Sequence, residues 1–208
     1  MANATNRIAI LSGGIGASET FRRSGLVPVA WLRLAAPPAL IGAVFGTGAV
    51  LMVGDLAFQR ILSVVLVLAA GWVFWNPIRP PDEGGHFPPT GAASWTSRAG
   101  FFLVGVYGGF IQAGVGFIVL TITSANGLDL IRGNAIKAPL VFLFTLVTVV
   151  LFTYSGMINW GMGLVLAAGQ VLGGTLGVRL QVLKGQEWVR HVLTLIILAC
   201  AVRLMVMG

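Results

Sequence analysis

Long, almost uncharged apolar stretches dominate this chain. Residues 29–53, 57–75, 99–125, 135–154, 160–182 and 188–207 form such runs, and 4–20 is a weaker further candidate. A helix needs about 20 apolar residues to cross the roughly 30 Å hydrocarbon core of a bilayer. In hydrocarbon the backbone must satisfy its own hydrogen bonds, which leaves helices or a closed barrel. The runs are continuously apolar and do not alternate with period two, so the barrel is excluded. The expected fold class is therefore all-α: a polytopic integral membrane protein with about seven transmembrane helices.

The composition agrees. Charged residues make up 9% of the 208 residues and hydrophobic ones 57%, whereas a soluble domain carries about 25% charged residues. Disorder is excluded because it needs the opposite balance. The net charge of +7 comes from Lys and Arg scattered at segment ends. They form no basic stripe of the kind a nucleic-acid partner requires and are read as interface anchors. Lys and Arg are nearly balanced between alternate loops, so membrane orientation is not assigned. Cys200 stands alone, which rules out an internal disulfide. No signal peptide is recognised at the N-terminus.

Residues 76–98, NPIRPPDEGGHFPPTGAASWTSR, hold five of the nine prolines and read as a polar linker. His86 within it has no partner at metal-ligand spacing, and no metal or cofactor is expected. The linker separates two halves that match at an offset of 131 residues. Asn3 meets Asn134, Phe21, Ser24 and Gly25 meet Phe152, Ser155 and Gly156, and Gly42 and Gly46 meet Gly173 and Gly177. The expected organisation is an incomplete first transmembrane repeat over 1–75, the linker over 76–98, and a second repeat over 99–208. The glycine-rich segment that starts the second repeat has no counterpart in the first, which is expected to lack about 30 N-terminal residues or more.

Duplicated helical units are the usual build of secondary transporters, whose substrate site lies near the midplane beside a glycine-interrupted segment. Here that segment is GVYGGFIQAGVGF, residues 105–117. Glycine costs about 1 kcal/mol relative to alanine inside a helix. Gly108, Gly109, Gly114 and Gly116 therefore indicate either a break that frees amides for an anion or close helix contact, as in Gly105-x-x-x-Gly109. Gln112 lies in the middle, and its amide needs a partner in lipid. Asn134 and Lys137 share a helix face at three-residue spacing. Lys137 either snorkels to the headgroups or receives an anionic substrate. The first half echoes this pair as Asn3-Ala4-Thr5-Asn6-Arg7. Gly42 and Gly46, and Gly169, Gly173 and Gly177, form small-residue seams for helix packing. There is no HExxH, GxSxG, CxxC or Walker loop, and no buried acid–base pair is evident, so no enzyme is expected.

YGGFIQAGVGF, GLDLIRGNAIKAPL, FTYSGMINW and GQVLGGTLGVRL resemble the sulfite exporter TauE/SafE family of membrane permeases, as do NATNRIAIL, FRRSGL and LIGAVFGTGAVL in the first half. The resemblance covers nearly all of the chain except 76–98. It implies transport of sulfur-containing anions such as sulfite or organosulfonates across the bacterial inner membrane, without ATP hydrolysis by the protein. By carry-over it implies that Gln112, Gly114, Gly116, Asn134 and Lys137 line the path, with Asn6 and Arg7 beside them. The family's first glycine-rich segment is absent here.

The function expected from the sequence is a permease working by alternating access. The alternatives are a non-transporting membrane subunit or truncated remnant, or a permease for another small solute. The expected partners are a small anionic substrate and the lipid bilayer, with a homo-oligomer left open and nucleic acid excluded.

Overall fold

The computed structural model describes residues 1–54, 56–62, 64, 88–174 and 176. Among them all regular structure is helical. In chain order the helices are α1 (Ala2–Arg23), α2 (Val29–Met52), α3 (Gly91–Phe110), α4 (Val115–Ala125), α5 (Leu130–Tyr154) and α6 (Trp160–Gly174), with a further helical stretch over 56–62. α2 and α5 are each long and apolar enough to cross a membrane, while α4 and α6 are shorter apolar helices. α1 falls short of that test because Asn3, Asn6, Arg7 and Glu19 interrupt it. The expected run 99–125 is divided between α3 and α4. Most of 57–75, the end of 160–182 and all of 188–207 lie outside the described residues.

Helix α3 begins at Gly91, inside the stretch expected to be linker. The prolines stop at Pro89, and the following GAASWTSR contains nothing that opposes a helix beyond its first glycine. Arg98 lies over the ring of Trp95 at 5.6 Å, a pairing suited to the headgroup level. The rest of 76–90 carries no helix among the described residues.

Two helix–turn–helix units have the same punctuation. α1 ends at Arg23 and α5 at Tyr154. Each is followed by Ser-Gly, with Gly25 at φ 66 and Gly156 at φ 65. The left-handed conformation closes the helix and is open to glycine at little cost. The next helices then start at Val29 and Trp160.

The packing is set by glycine. α2 and α3 run parallel, backbone against backbone. A Cβ on Gly42 would collide with the Phe102 carbonyl oxygen, and one on Gly46 with that of Val106. Reciprocally, Gly105 meets the Ala39 carbonyl and Gly109 the Ala43 carbonyl. Gly42 and Gly46 thus form the packing seam expected of them, and the surface they meet is that of Gly105 and Gly109. In α6, Gly169 and Gly173 have no neighbour within 4 Å among the described residues, and Gly177 lies outside them. α1 packs antiparallel to α5, with Gly14 against Phe142 and Arg7 beside Phe152. It also runs parallel to α6, where Ile8 lies against Gly163 and Gly13 against Gln170. Trp31, Phe101, Phe144, Ile136 and Leu140 form the buried core where α2, α3 and α5 meet. Phe45, Leu103 and Val165 are largely exposed, as expected of side chains that face acyl chains.

Candidate functional site

The glycine-rich segment breaks the helix. α3 ends at Phe110, α4 starts at Val115, and residues 111–114 make the turn between them. Two left-handed residues create it: Gly114, φ 72, at the N-cap of α4, and Gln112, φ 70. A non-glycine residue in that region is held there by its surroundings at a cost of about 1–3 kcal/mol. The surroundings here are specific. Gln112 is buried, its Oε1 accepts from Arg7 Nη1, and its Nε2 donates to Thr145 Oγ1 at 2.6 Å.

The break is level with the middle of α5. Gln112 bonds to Thr145, and a Cβ on Gly108 would lie 2.9 Å from the Phe144 ring. α5 has 25 residues, which is about 37 Å of helix and enough to cross a bilayer with some tilt.

On the α3 side the break leaves carbonyls without helical partners, and α1 supplies donors. Arg7 Nη1 donates to Gly108 O at 2.5 Å and Nη2 to Gly109 O at 3.0 Å. Asn3 Nδ2 donates to Phe110 O at 3.0 Å. Arg7 is fully buried, and the Phe152 ring lies 5.9 Å from its guanidinium carbon. On the α4 side, amides are open. Among the described residues no acceptor is bonded to the N–H of Ala113, Gly114 or Gly116. Tyr107 OH donates to Ala113 O and ties the turn back to α3.

Lys137 approaches this open end. A Cβ on Gly116 would lie 2.9 Å from Lys137 Cδ, so the lysine stem rests on that glycine. Its Nζ donates to Asn134 Oδ1 at 2.6 Å, and Asn134 Nδ2 donates to Leu130 O at 2.9 Å. Asn134 thus holds the ammonium on the α5 face that meets α4. No group of three or more His, Cys, Asp or Glu residues could hold a metal among the described residues.

A family model, sulfite exporter TauE/SafE, matches residues 1–204. The chain belongs to that family. It is 27% identical to a Haemophilus influenzae protein named "Probable membrane transporter protein", over 91% of this chain and 74% of the relative. It is also 27% identical to the Escherichia coli K12 "Probable membrane transporter protein YfcA", covering 93% of this chain and 71% of the relative. The "Probable membrane transporter protein ORF9" of a Sinorhizobium species is similar at 27% identity, over 97% and 76%. No solved structure matches. The chain is thus a membrane protein of a transporter family, with only helices as regular structure among the described residues.

In this TauE/SafE chain the residues singled out in the sequence fall into two groups. Gln112, Gly114, Gly116, Asn134 and Lys137 gather around the break and the first turn of α4. Asn6 is exposed on α1, and both terminal nitrogens of Arg7 face main-chain carbonyls or Gln112 rather than an open space. Thr145 and Tyr107 belong to the site and were not foreseen. Asn3 entered the sequence reading only as a repeat match to Asn134, yet it closes the third carbonyl.

Proposed function

We propose that the chain is a permease that carries small sulfur-containing anions, of the sulfite or organosulfonate type, across the bacterial inner membrane by alternating access. The observation that carries this reading is a helix break level with the middle of α5, with a lysine stem packed against it. The unbonded amides of Ala113, Gly114 and Gly116 lie at the positive end of α4, where a helix N-terminus attracts negative charge. The Lys137 ammonium adds a full charge beside them. Gln112 and Gly114 set the turn, Gly116 leaves room for the lysine stem, and Asn134 orients the ammonium. An oxyanion with several acceptor oxygens suits such a mixture of amide and ammonium donors.

Matching helix boundaries in the two halves support the reading. Arg23 and Tyr154 end their helices, and Val29 and Trp160 start the next ones, at the same offset of 131 that relates the two halves of the sequence. Transporters built from such repeats place the substrate between them near the midplane.

Uptake of labelled sulfite into proteoliposomes made with the purified chain tests the proposal. Saturable uptake is expected, competed by organosulfonates and not by cations. Absence of uptake for any anion would favour the non-transporting subunit.

A further inference from the structure

A helix end leaves its last carbonyls without intrahelical partners. In an unbroken helix Gly108, Gly109 and Phe110 would receive the amides of residues 112, 113 and 114. The turn at Gln112 removes those donors, and the amide of Gln112 goes to Tyr107 O instead. All three carbonyls are nevertheless bonded, chiefly by two side chains of α1: Arg7 takes Gly108 and Gly109, and Asn3 takes Phe110, with Thr47 of α2 adding a long contact of 3.5 Å to Gly109 O. Asn3 and Arg7 lie four residues apart, on one face of α1. The guanidinium also supplies positive charge at a helix C-terminus, where it is favoured. Its third contact, with Gln112 Oε1, reaches the left-handed residue itself.

We propose that Asn3 and Arg7 are positioning residues of the transport site. They cap α3 from α1 and hold the turn that presents the amides of α4, so α1 governs the geometry of the anion site without touching the anion. This rests on reading the 111–116 segment as that site.

Hydrogen–deuterium exchange on the full chain in nanodiscs, with no anion added, reads the cap by itself. Arg7→Gln should speed exchange over 108–116 by about tenfold or more, with α5 left at the wild-type rate. Asn3→Ala frees a single carbonyl and should speed the same segment about threefold; it decides the question if Arg7→Gln does not fold. In proteoliposomes Asn3→Ala should raise KM for sulfite about threefold with kcat within about twofold of wild type. Unchanged exchange over 108–116, acceleration spread evenly over the chain, or an unchanged KM would each overturn the proposal. Wild-type protein without anion flux, together with accelerated exchange in the variants, would remove the anion reading and support the cap.

Discussion

The guanidinium of Arg7 donates to the side-chain oxygen of Gln112, joining two residues 105 positions apart across the interior of the protein. Gln112 passes the connection to Thr145 of α5. Three helices and one strained turn therefore depend on a single amide group.

The first prediction concerns that amide. Gln112→Gly relieves the left-handed backbone but leaves Arg7 and Thr145 short of a partner. Two unsatisfied buried groups at about 1–3 kcal/mol each outweigh the single backbone strain of about 1–3 kcal/mol that glycine releases. Thermal unfolding in detergent should rank wild type above Gln112→Gly, and Gln112→Gly above Gln112→Ala, which loses the contacts and keeps the strain. Alanine equal to or better than glycine would show that the turn is not held against its preference.

The α2–α3 seam gives an internally controlled pair. Gly42→Ala places a methyl on the Phe102 carbonyl, whereas a methyl on Gly48 of the same helix meets nothing within 4 Å among the described residues. Overpacking of this kind costs about 1–3 kcal/mol, and Gly→Ala at an open helical site gains up to about 1 kcal/mol. Melting temperatures should move in opposite directions for the two variants. A neutral Gly42→Ala would mean that the helices are not in backbone contact.

Lys137→Met keeps the apolar stem against Gly116 and removes the charge. Sulfite flux should fall by about tenfold or more, the usual consequence of losing a charge-assisted contact, with stability close to wild type. Wild-type flux in this variant removes Lys137 from the anion site. Gly116→Ala pushes a methyl toward the lysine stem, and a smaller rise in KM is expected.

The paired turns supply a fourth test. Gly25 and Gly156 both have positive φ, and a Cβ on either would meet nothing within 4 Å among the described residues. Substitution by alanine should cost about 1 kcal/mol or more at each, through the backbone alone. Similar losses in chemical denaturation are expected at the two sites, and a large difference would count against equivalent turns.

Much of this was legible along the chain because it is local. Glycine density marked the break at 108–116, and the spacing of Gly42, Gly46, Gly105 and Gly109 marked a close helix contact. Glycine content alone does not separate the two roles: Gly108 and Gly109 serve packing, while Gly114 turns the backbone. The left-handed Gln112 had no signature, since glutamine is not a residue that prefers that conformation. The acceptors of Arg7 are main-chain carbonyls about a hundred residues away, and any sequence has carbonyls everywhere. Thr145 was invisible for another reason. A threonine in an apolar helix ordinarily bonds back one turn, as Thr145 does to Val141 O, and nothing in the pattern says that its oxygen also receives Gln112. The helical start of α3 was hidden by its proline-rich approach, which drew the polar stretch to a later end than the prolines themselves justify.

The reciprocal glycine contacts between α2 and α3 leave those two rods no slack to slide or twist past each other. They can only travel together, as one plank. In the proposed alternating-access cycle, the turn of residues 111–114 between Phe110 and Val115 is the joint left for that plank to swing on, which would put the axle and the docking point in one place.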